Sequence, residues 1–201
     1  IIKERKMLVL QIFIIIVCFV CSNVSSLKLL NKFSGGSIYD KFGSSVSSIG
    51  DLNGDSINDI IVGSPNEDDY RPDTGAVTIF CLDENGFPIF IKKVSKLSEP
   101  SLPIGHNVKF GSHVAGLEFD YYNSGYVNFL VSAPNDNGEG NGLSTSDGSV
   151  FFLDFYHNAT LRLYKRLNKD NITSIKHFDY FGSSMCELND LNNDGVNEIA
   201  V

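Results

Sequence analysis

The chain has 201 residues and is acidic, with 24 Asp and Glu residues against 16 Lys and Arg. This length suits one large domain or two small ones. Phosphate binding needs a basic face, so the net charge argues against a nucleic-acid partner. Hydrophobic residues make up 42% of the chain and charged residues 20%, which favours a buried core over a disordered chain.

Residues 1–26 have the composition of a secretory signal peptide. Basic residues within positions 1–6 precede the apolar run MLVLQIFIIIVCFVCS, and small residues stand at Ser22 and Ser26. Residues 1–6 lie before the first Met and are interpreted as an upstream extension. An uncleaved membrane anchor is the alternative, although the run is shorter than the about 20 apolar residues of a spanning helix. The mature chain is then residues 27–201.

One pattern occurs three times after the leader. It begins with Phe-Gly-Ser at Phe42, Phe110 and Phe181. A short alternating run, a polar turn and a continuous apolar run follow in the same order each time. Repeated order of this kind indicates a repeat architecture. We place repeat 1 at about 41–108, repeat 2 at about 109–179, and a truncated repeat 3 from 180.

Each complete repeat predicts four short β-strands. SSVSSIG, DIIVG, GAVTIFCL and FPIFIKKV in the first repeat are β-branched or aromatic runs between Gly, Asn and Asp residues. NFLVS, SVFFLDF and ATLRLYKRL stand at matching places in the second. No amphipathic helix is predicted after the leader. Four strands per repeat are typical of a propeller blade, so the predicted fold is an all-β propeller, here with about two and a half blades.

The turn between the first two strands carries alternating oxygen-bearing side chains in repeats 1 and 3. Alternating Asp and Asn on a tight loop can direct several oxygens at a hard cation such as Ca²⁺. The predicted ligands are side chains, together with the backbone carbonyls of Ile57 and Val196. The side chains are those of Asp51, Asn53, Asp55 and Asp59 in repeat 1, and those of Asp190, Asn192, Asp194 and Glu198 in repeat 3.

These loops have two other interpretations. Asp, Asn and Gly also form ordinary β-turns, but two copies at the same place in the repeat favour the metal site. An EF-hand needs a Glu at the twelfth loop position, where Val62 and Val201 stand here, and it needs flanking helices. The second repeat has one carboxylate among the matching residues, so it is not expected to hold calcium tightly. Those residues are Asp120, Tyr122, Ser124 and Asn128.

The Phe-Gly pairs, the acidic loops, and VGSP and VSAP after the apolar runs resemble the FG-GAP repeat of integrin α-subunit propellers. The resemblance covers about residues 29–201. It implies a seven-bladed propeller with calcium loops on one face, and in integrins the opposite face carries ligand recognition. The chain departs from integrin α-subunits in having a calcium loop in its first repeat and no inserted metal-binding domain.

Several further residues carry sequence-based expectations. Cys81 and Cys186 are predicted to be small buried hydrophobic residues. Asn158 and Asn171 begin sequons and are predicted glycosylation sites in a secreted protein. The acidic segments NEDDYRPD and NDNGEGNGLSTSD are predicted to be solvated loops at equivalent places in two repeats.

No catalytic motif is apparent, because the histidines form no paired ligand motif and no nucleophile elbow or phosphate loop occurs. The predicted function is a secreted or cell-surface, calcium-binding adhesion module that is not an enzyme. Its expected partner is a protein or glycan ligand on the propeller face, with a membrane anchor beyond residue 201. The alternative is the non-catalytic repeat region of a larger secreted enzyme, such as a phospholipase D-like hydrolase.

Overall fold

A computed structural model describes residues 32–117, 126–138 and 145–201. These ranges contain ten β-strands, and the described part has no α-helix. None of its segments is therefore a helix long and apolar enough to cross a membrane. The predicted signal peptide at residues 1–26 lies outside the described residues. The all-β prediction is confirmed.

The first four strands form one antiparallel sheet in chain order, which is the first blade. Strand β2 is buried along its whole length because it has apolar neighbours on both faces. Ile61 belongs to one apolar cluster, and Ile60 and Val62 belong to another. The strands are β1 Val46–Gly50, β2 Asp59–Ser64, β3 Ala76–Leu82 and β4 Pro88–Val94.

The second blade repeats this arrangement with the next four strands in chain order. Strands β6 and β7 are buried at every position, and the continuous apolar run NFLVS predicts this for β6. The third unit contributes a short antiparallel pair, β9 with β10. The strands are β5 Val114–Gly116, β6 Val127–Ala133, β7 Ser149–Phe155, β8 Leu161–Leu167, β9 Cys186–Glu187 and β10 Ile199–Ala200.

The largest apolar cluster lies between the first and second blades and takes residues from both. Phe110 is fully buried there, and its ring meets that of Phe151 edge-on with centroids 5.4 Å apart. Phe129 and Phe155 stack with centroids 5.2 Å apart. Both ring pairs belong to the second repeat, and they contribute a large buried aromatic area to the cluster that the two blades share.

The Phe-Gly motif joins each blade to the preceding one through the backbone. Phe110 forms a parallel bridge with Gly75 at the start of β3, and Phe181 forms the same bridge with Gly148. A Cβ on Gly75 would lie 2.1 Å from the Phe110 carbonyl oxygen, and a Cβ on Gly111 would lie 2.3 Å from that of Ala76. Both positions therefore need a residue without a side chain. Gly75 and Gly111 thus mark the place where the backbones of the two blades approach each other closely through this motif.

The prediction that the acidic segments after β2 and β6 are solvated is wrong for Glu67 and Asp136, which are both buried. Glu67 contacts Lys93 Nζ, and Asp136 Oδ2 lies 2.7 Å from Arg166 Nη2. A long cationic side chain from the outermost strand thus covers each acid, which offsets the cost of burying its charge.

The cysteine prediction holds for one of the two residues. Cys81 is buried in the cluster between the blades, whereas Cys186 is exposed. Met185, the preceding residue, is buried against the second blade. Side chains point to opposite faces at successive positions of a strand, so burying Met185 turns Cys186 outward.

Candidate metal centre

The loop of the first repeat, residues 51–59, joins β1 to β2 and is organised around the Asp51 carboxylate. Asp51 Oδ1 accepts the N–H groups of Gly54 at 2.6 Å and Asp55 at 3.0 Å. Asp51 Oδ2 accepts the N–H of Ser56 at 2.7 Å. One carboxylate therefore closes the turn, because it satisfies three backbone donors that no strand partner reaches.

Asn53 and Asp55 continue the same scheme. Asn53 Oδ1 accepts the N–H of Asp55 at 3.1 Å, and Asp55 Oδ1 accepts that of Ile57 at 2.8 Å. The Asn53 amide donates to Asp55 Oδ2 at 2.8 Å. Asp55 is exposed and Asn53 is partly buried. The side-chain oxygens of alternate residues thus turn towards the inside of the loop, as the spacing predicts.

Asp59 has a different environment, because it is fully buried at the start of β2. Its Oδ2 accepts the N–H of Leu52 at 2.8 Å and its Oδ1 accepts that of Leu82 at 2.9 Å. Burial raises the pKa of the Asp59 carboxyl, although the hydrogen bonds from Leu82 and Leu52 oppose that rise. Burial, together with the charge of Asp59, raises the pKa of the Cys81 thiol to about 12. Cys81 is therefore an uncharged thiol beside this carboxylate.

The loop of the third repeat, residues 190–198, reproduces the hydrogen bonds of the first. Asp190 Oδ1 accepts the N–H of Asp194 at 3.2 Å, and its Oδ2 accepts that of Gly195 at 2.8 Å. Asp194 Oδ1 accepts the N–H of Val196 at 2.9 Å. Asn192 bonds Asp194 through both its amide oxygen and its amide nitrogen, at 2.8 and 3.1 Å. Two stretches of different sequence therefore adopt one loop conformation.

Each loop needs a left-handed backbone at two places, and each has glycine at only one of them. In the first loop these are Gly54, with φ of 82°, and Ser56, with φ of 69°. In the third they are Asn193, with φ of 59°, and Gly195, with φ of 88°. Gly54 and Gly195 thus occupy different positions of the same turn. Ser56 adopts a conformation that is costly for a residue with a Cβ.

The two loops differ in how closely their carboxylates converge. Oxygens of Asp190, Asp194 and Glu198 all lie within 4.8 Å of one another. This trio is the only group of three such residues at that spacing within the described ranges, so Asp51, Asp55 and Asp59 do not match it. Glu198 also accepts the Leu191 N–H at 2.6 Å, as Asp59 accepts that of Leu52.

The matching loop of the second repeat falls mostly in residues 118–125, which lie outside the described residues, as do its predicted positions Asp120, Tyr122 and Ser124. Asn128, the fourth position, is buried in β6, and its Oδ1 has no hydrogen-bond partner. It lies directly opposite Asp154 of β7. The carboxylate that the first blade carries on its second strand is thus on the third strand of the second blade.

The sequence model of the FG-GAP repeat family matches residues 42–80, which include the first Phe-Gly pair, the first acidic loop and strands β1 to β3. The chain contains an FG-GAP repeat. Its two four-stranded sheets are blades of an FG-GAP β-propeller, and the Phe-Gly pairs that define the repeat are the residues that bridge one blade to the next.

This FG-GAP chain is similar to integrin alpha subunits along most of its length. It is 26% identical to human integrin alpha-11 over 188 residues, or 92% of this chain. It is 28% identical to Drosophila melanogaster integrin alpha-PS5 over 177 residues, or 86% of this chain. Mouse integrin alpha-11 is 37% identical over 95 residues, or 46% of this chain and 7% of that protein. The chain spans only 14% of human alpha-11 and 16% of alpha-PS5.

Proposed function

We propose that this chain is the calcium-binding FG-GAP propeller portion of an extracellular binding or adhesion protein. The observation that carries the proposal is the convergence of Asp190, Asp194 and Glu198, whose oxygens lie within 4.8 Å of one another. Calcium prefers six to eight oxygen ligands, and this donor set offers only oxygens. Carboxylates brought this close repel one another, and a bound divalent cation removes that repulsion.

The first loop supports a second site of the same kind, since its backbone is held by the same hydrogen bonds. Asp51, Asn53 and Asp55 are proposed as side-chain ligands, and the carbonyl of Ile57 as a backbone ligand. The buried carboxylate of Asp59 is proposed as the fourth side-chain ligand, and each of its oxygens also accepts one backbone N–H. The proposed third-loop ligands are the trio above together with Asn192 and the carbonyl of Val196.

An extracellular setting is proposed on three grounds: the composition of residues 1–26, the similarity to integrin alpha subunits, and the exposure of both sequon asparagines. Asn158 stands exposed in the turn between β7 and β8, and Asn171 is exposed after β8. A glycan can therefore project from either residue without entering the core. Removal of N-glycans from the secreted protein should lower its mass. Asn158→Gln and Asn171→Gln should each make that decrease in mass smaller by one glycan.

The proposed role is ligand binding without catalysis. The resemblance to integrin α-subunits suggests that the propeller face opposite the acidic loops contacts a protein or glycan, with a membrane anchor following beyond residue 201. Calcium would then act on the scaffold, by holding the β1–β2 loops of the blades in one conformation.

The proposal is tested by isothermal titration of the full-length protein with calcium up to the millimolar range, because extracellular sites often bind at about 10⁻⁴ to 10⁻³ M. Asp190→Asn with Asp194→Asn should remove one site, and Asp51→Asn with Asp55→Asn should remove another. Asp120→Asn in the second repeat is the matched control and should leave the number of sites unchanged. If neither pair changes the site count, the loops are ordinary acidic turns and the proposal is wrong.

A further inference from the structure

Three equivalent positions carry different chemistry in the two complete blades. Cys81 and Asp154 each stand five residues after the first residue of their third strands, β3 and β7. Ile89 and Arg162 each stand one residue after the start of their fourth strands, β4 and β8. Asp59 of the first blade corresponds to Asn128 of the second. The set is Asp59, Cys81 and Ile89 in one blade, and Asn128, Asp154 and Arg162 in the other.

The buried carboxylate is therefore on the second strand in the first blade and on the third strand in the second blade. The second blade also has a positive charge on its fourth strand. Asp154 is fully buried, and Arg162 Nη1 contacts its Oδ2. The side chain of Arg162 is 32% exposed, so it lies between the buried carboxylate and the solvent. A buried carboxylate is costly unless a positive charge or hydrogen bonds compensate it.

An aromatic group holds the guanidinium in place. The Arg162 guanidinium lies 5.1 Å from the centroid of the Tyr126 ring. Tyr126 packs edge-on against Tyr156, with ring centroids 4.9 Å apart. A cation over an aromatic face is attracted by the ring, and the planar guanidinium suits this position better than an ammonium does. Arg162 is thus fixed from two sides, by Asp154 and by Tyr126.

The two buried carboxylates, Asp59 and Asp154, also differ in how many hydrogen-bond donors surround them. Both oxygens of Asp59 accept backbone N–H groups, those of Leu52 and Leu82. In the second blade, Oδ1 of Asp154 and Oδ1 of the facing Asn128 are buried without hydrogen-bond partners. The second blade therefore depends more strongly on a positive charge at this place than the first does.

We propose that the guanidinium of Arg162 is a built-in cation that takes, in the second blade, the structural part that calcium takes in the loops of repeats 1 and 3. Strands β6 and β7 of the second blade then stay ordered without metal. The comparison with calcium rests on the proposed function, whereas the pairing of Arg162 with Asp154 does not depend on it.

The test is hydrogen exchange of the full-length protein, read by mass spectrometry on peptides from β6, β7 and the two acidic loops. The variants are Arg162→Met, Asp154→Asn and the double variant, with Lys165→Met as a control for loss of an exposed positive charge on the same strand. Each protein is measured with millimolar calcium and after chelation.

In the unsubstituted protein, chelation should lower protection in the two acidic loops and leave β6 and β7 unchanged. Arg162→Met should lower the protection of β7 by roughly a hundredfold at either calcium level, as expected when one partner of a buried pair is removed. The double variant should recover most of that loss, because it leaves no lone buried charge. Lys165→Met should match the unsubstituted protein. The double variant keeps the test decisive if Arg162→Met alone does not fold.

Three results would overturn the inference. The first is that β7 of Arg162→Met is as well protected as in the unsubstituted protein. The second is that β7 of the double variant is no better protected than in Arg162→Met. The third is that chelation lowers the protection of β6 and β7 in the unsubstituted protein. Acidic loops that do not respond to chelation contradict the proposed calcium function instead. In that case the comparison of single and double variants still measures the Arg162–Asp154 pairing.

Discussion

His157 Nδ1 lies 3.0 Å from the carbonyl oxygen of Leu52. His157 belongs to the β7–β8 turn of the second blade, and Leu52 lies inside the first acidic loop, between two proposed ligands. The contact requires the tautomer with a proton on Nδ1, which donates to the carbonyl. One blade therefore braces the acidic loop of its neighbour.

Replacing His157 should loosen that loop. We expect His157→Ala to weaken calcium binding at the first loop by about fivefold, the size of one lost hydrogen bond, and to leave the third loop unchanged. His157→Gln, which keeps a donor, should restore part of the affinity. Hydrogen exchange is measured on peptides from each loop at increasing calcium concentrations. The rise in protection of each peptide then gives the calcium affinity of its own loop. Equal weakening at both loops would contradict a local brace.

Ser56 is predicted to store strain in the first loop, since its φ is 69°. Ser56→Gly should raise the free energy of unfolding by about 1 kcal/mol, because glycine adopts the left-handed conformation without steric cost. Asn193→Gly, at the place in the third loop that corresponds to Gly54, should have a smaller effect, since asparagine tolerates that conformation. Urea denaturation of the full-length protein measures both. A lower stability for Ser56→Gly would mean that the serine hydroxyl has a role that its backbone conformation does not explain.

The buried pair of Asp136 and Arg166 gives a third prediction. Asp136 Oδ2 also accepts the hydroxyl of Ser149 at 2.6 Å, and Asp136 Oδ1 accepts the N–H of Gly138 at 3.2 Å, so removing the carboxylate takes an acceptor from three donors. Asp136→Ala should lower the free energy of unfolding by about 3 to 5 kcal/mol. Glu84→Ala, at an exposed turn residue, should change it by less than about 0.5 kcal/mol. If Asp136→Ala lowered the free energy of unfolding by no more than the control does, the pair would contribute little to stability.

Asp147 makes the stability of the second blade sensitive to acid. It is fully buried, with Lys169 Nζ at 2.6 Å and His177 Nδ1 at 2.8 Å. Burial alone would raise its pKa, but the hydrogen bonds from Lys169, His177 and Thr145 outweigh that and hold the pKa below its ordinary value of 3.8. A carboxyl with a depressed pKa in the folded state stabilises above its ordinary pKa, and that stabilisation is lost as the pH falls through the folded-state pKa.

Asp147→Asn should therefore lower the free energy of unfolding at pH 7 by about 2 kcal/mol, the size of a lost charge-assisted hydrogen bond. The difference from the unsubstituted protein should shrink as the pH falls below 3.8. Urea midpoints across that range are the measurement, with the exposed Asp170→Asn as control. A difference that stays constant down to low pH would show that the Asp147 charge is not what stabilises the fold.

The sequence by itself determined the repeat and the type of each strand. The spacing of Phe42, Phe110 and Phe181 divided the chain into blades, because each repeat must place the same ring and the same glycine at each interface. Continuous apolar runs predicted β2 and β6, since a strand covered on both faces needs apolar side chains on both. The alternating Asp and Asn of the two acidic loops were likewise visible, because local hydrogen bonds within a few residues form that turn.

Only the tertiary structure decided which charges are buried and what they meet. Glu67 and Asp136 are surrounded by turn residues in the sequence, so nothing local distinguishes them from solvated acids. Lys93 and Arg166, which cover them, come from strands about 26 and 30 residues further along the chain. The brace between His157 and Leu52 joins residues separated by 105 positions. Contacts of this kind depend on how two blades are placed side by side, and local patterning carries no signal of that placement.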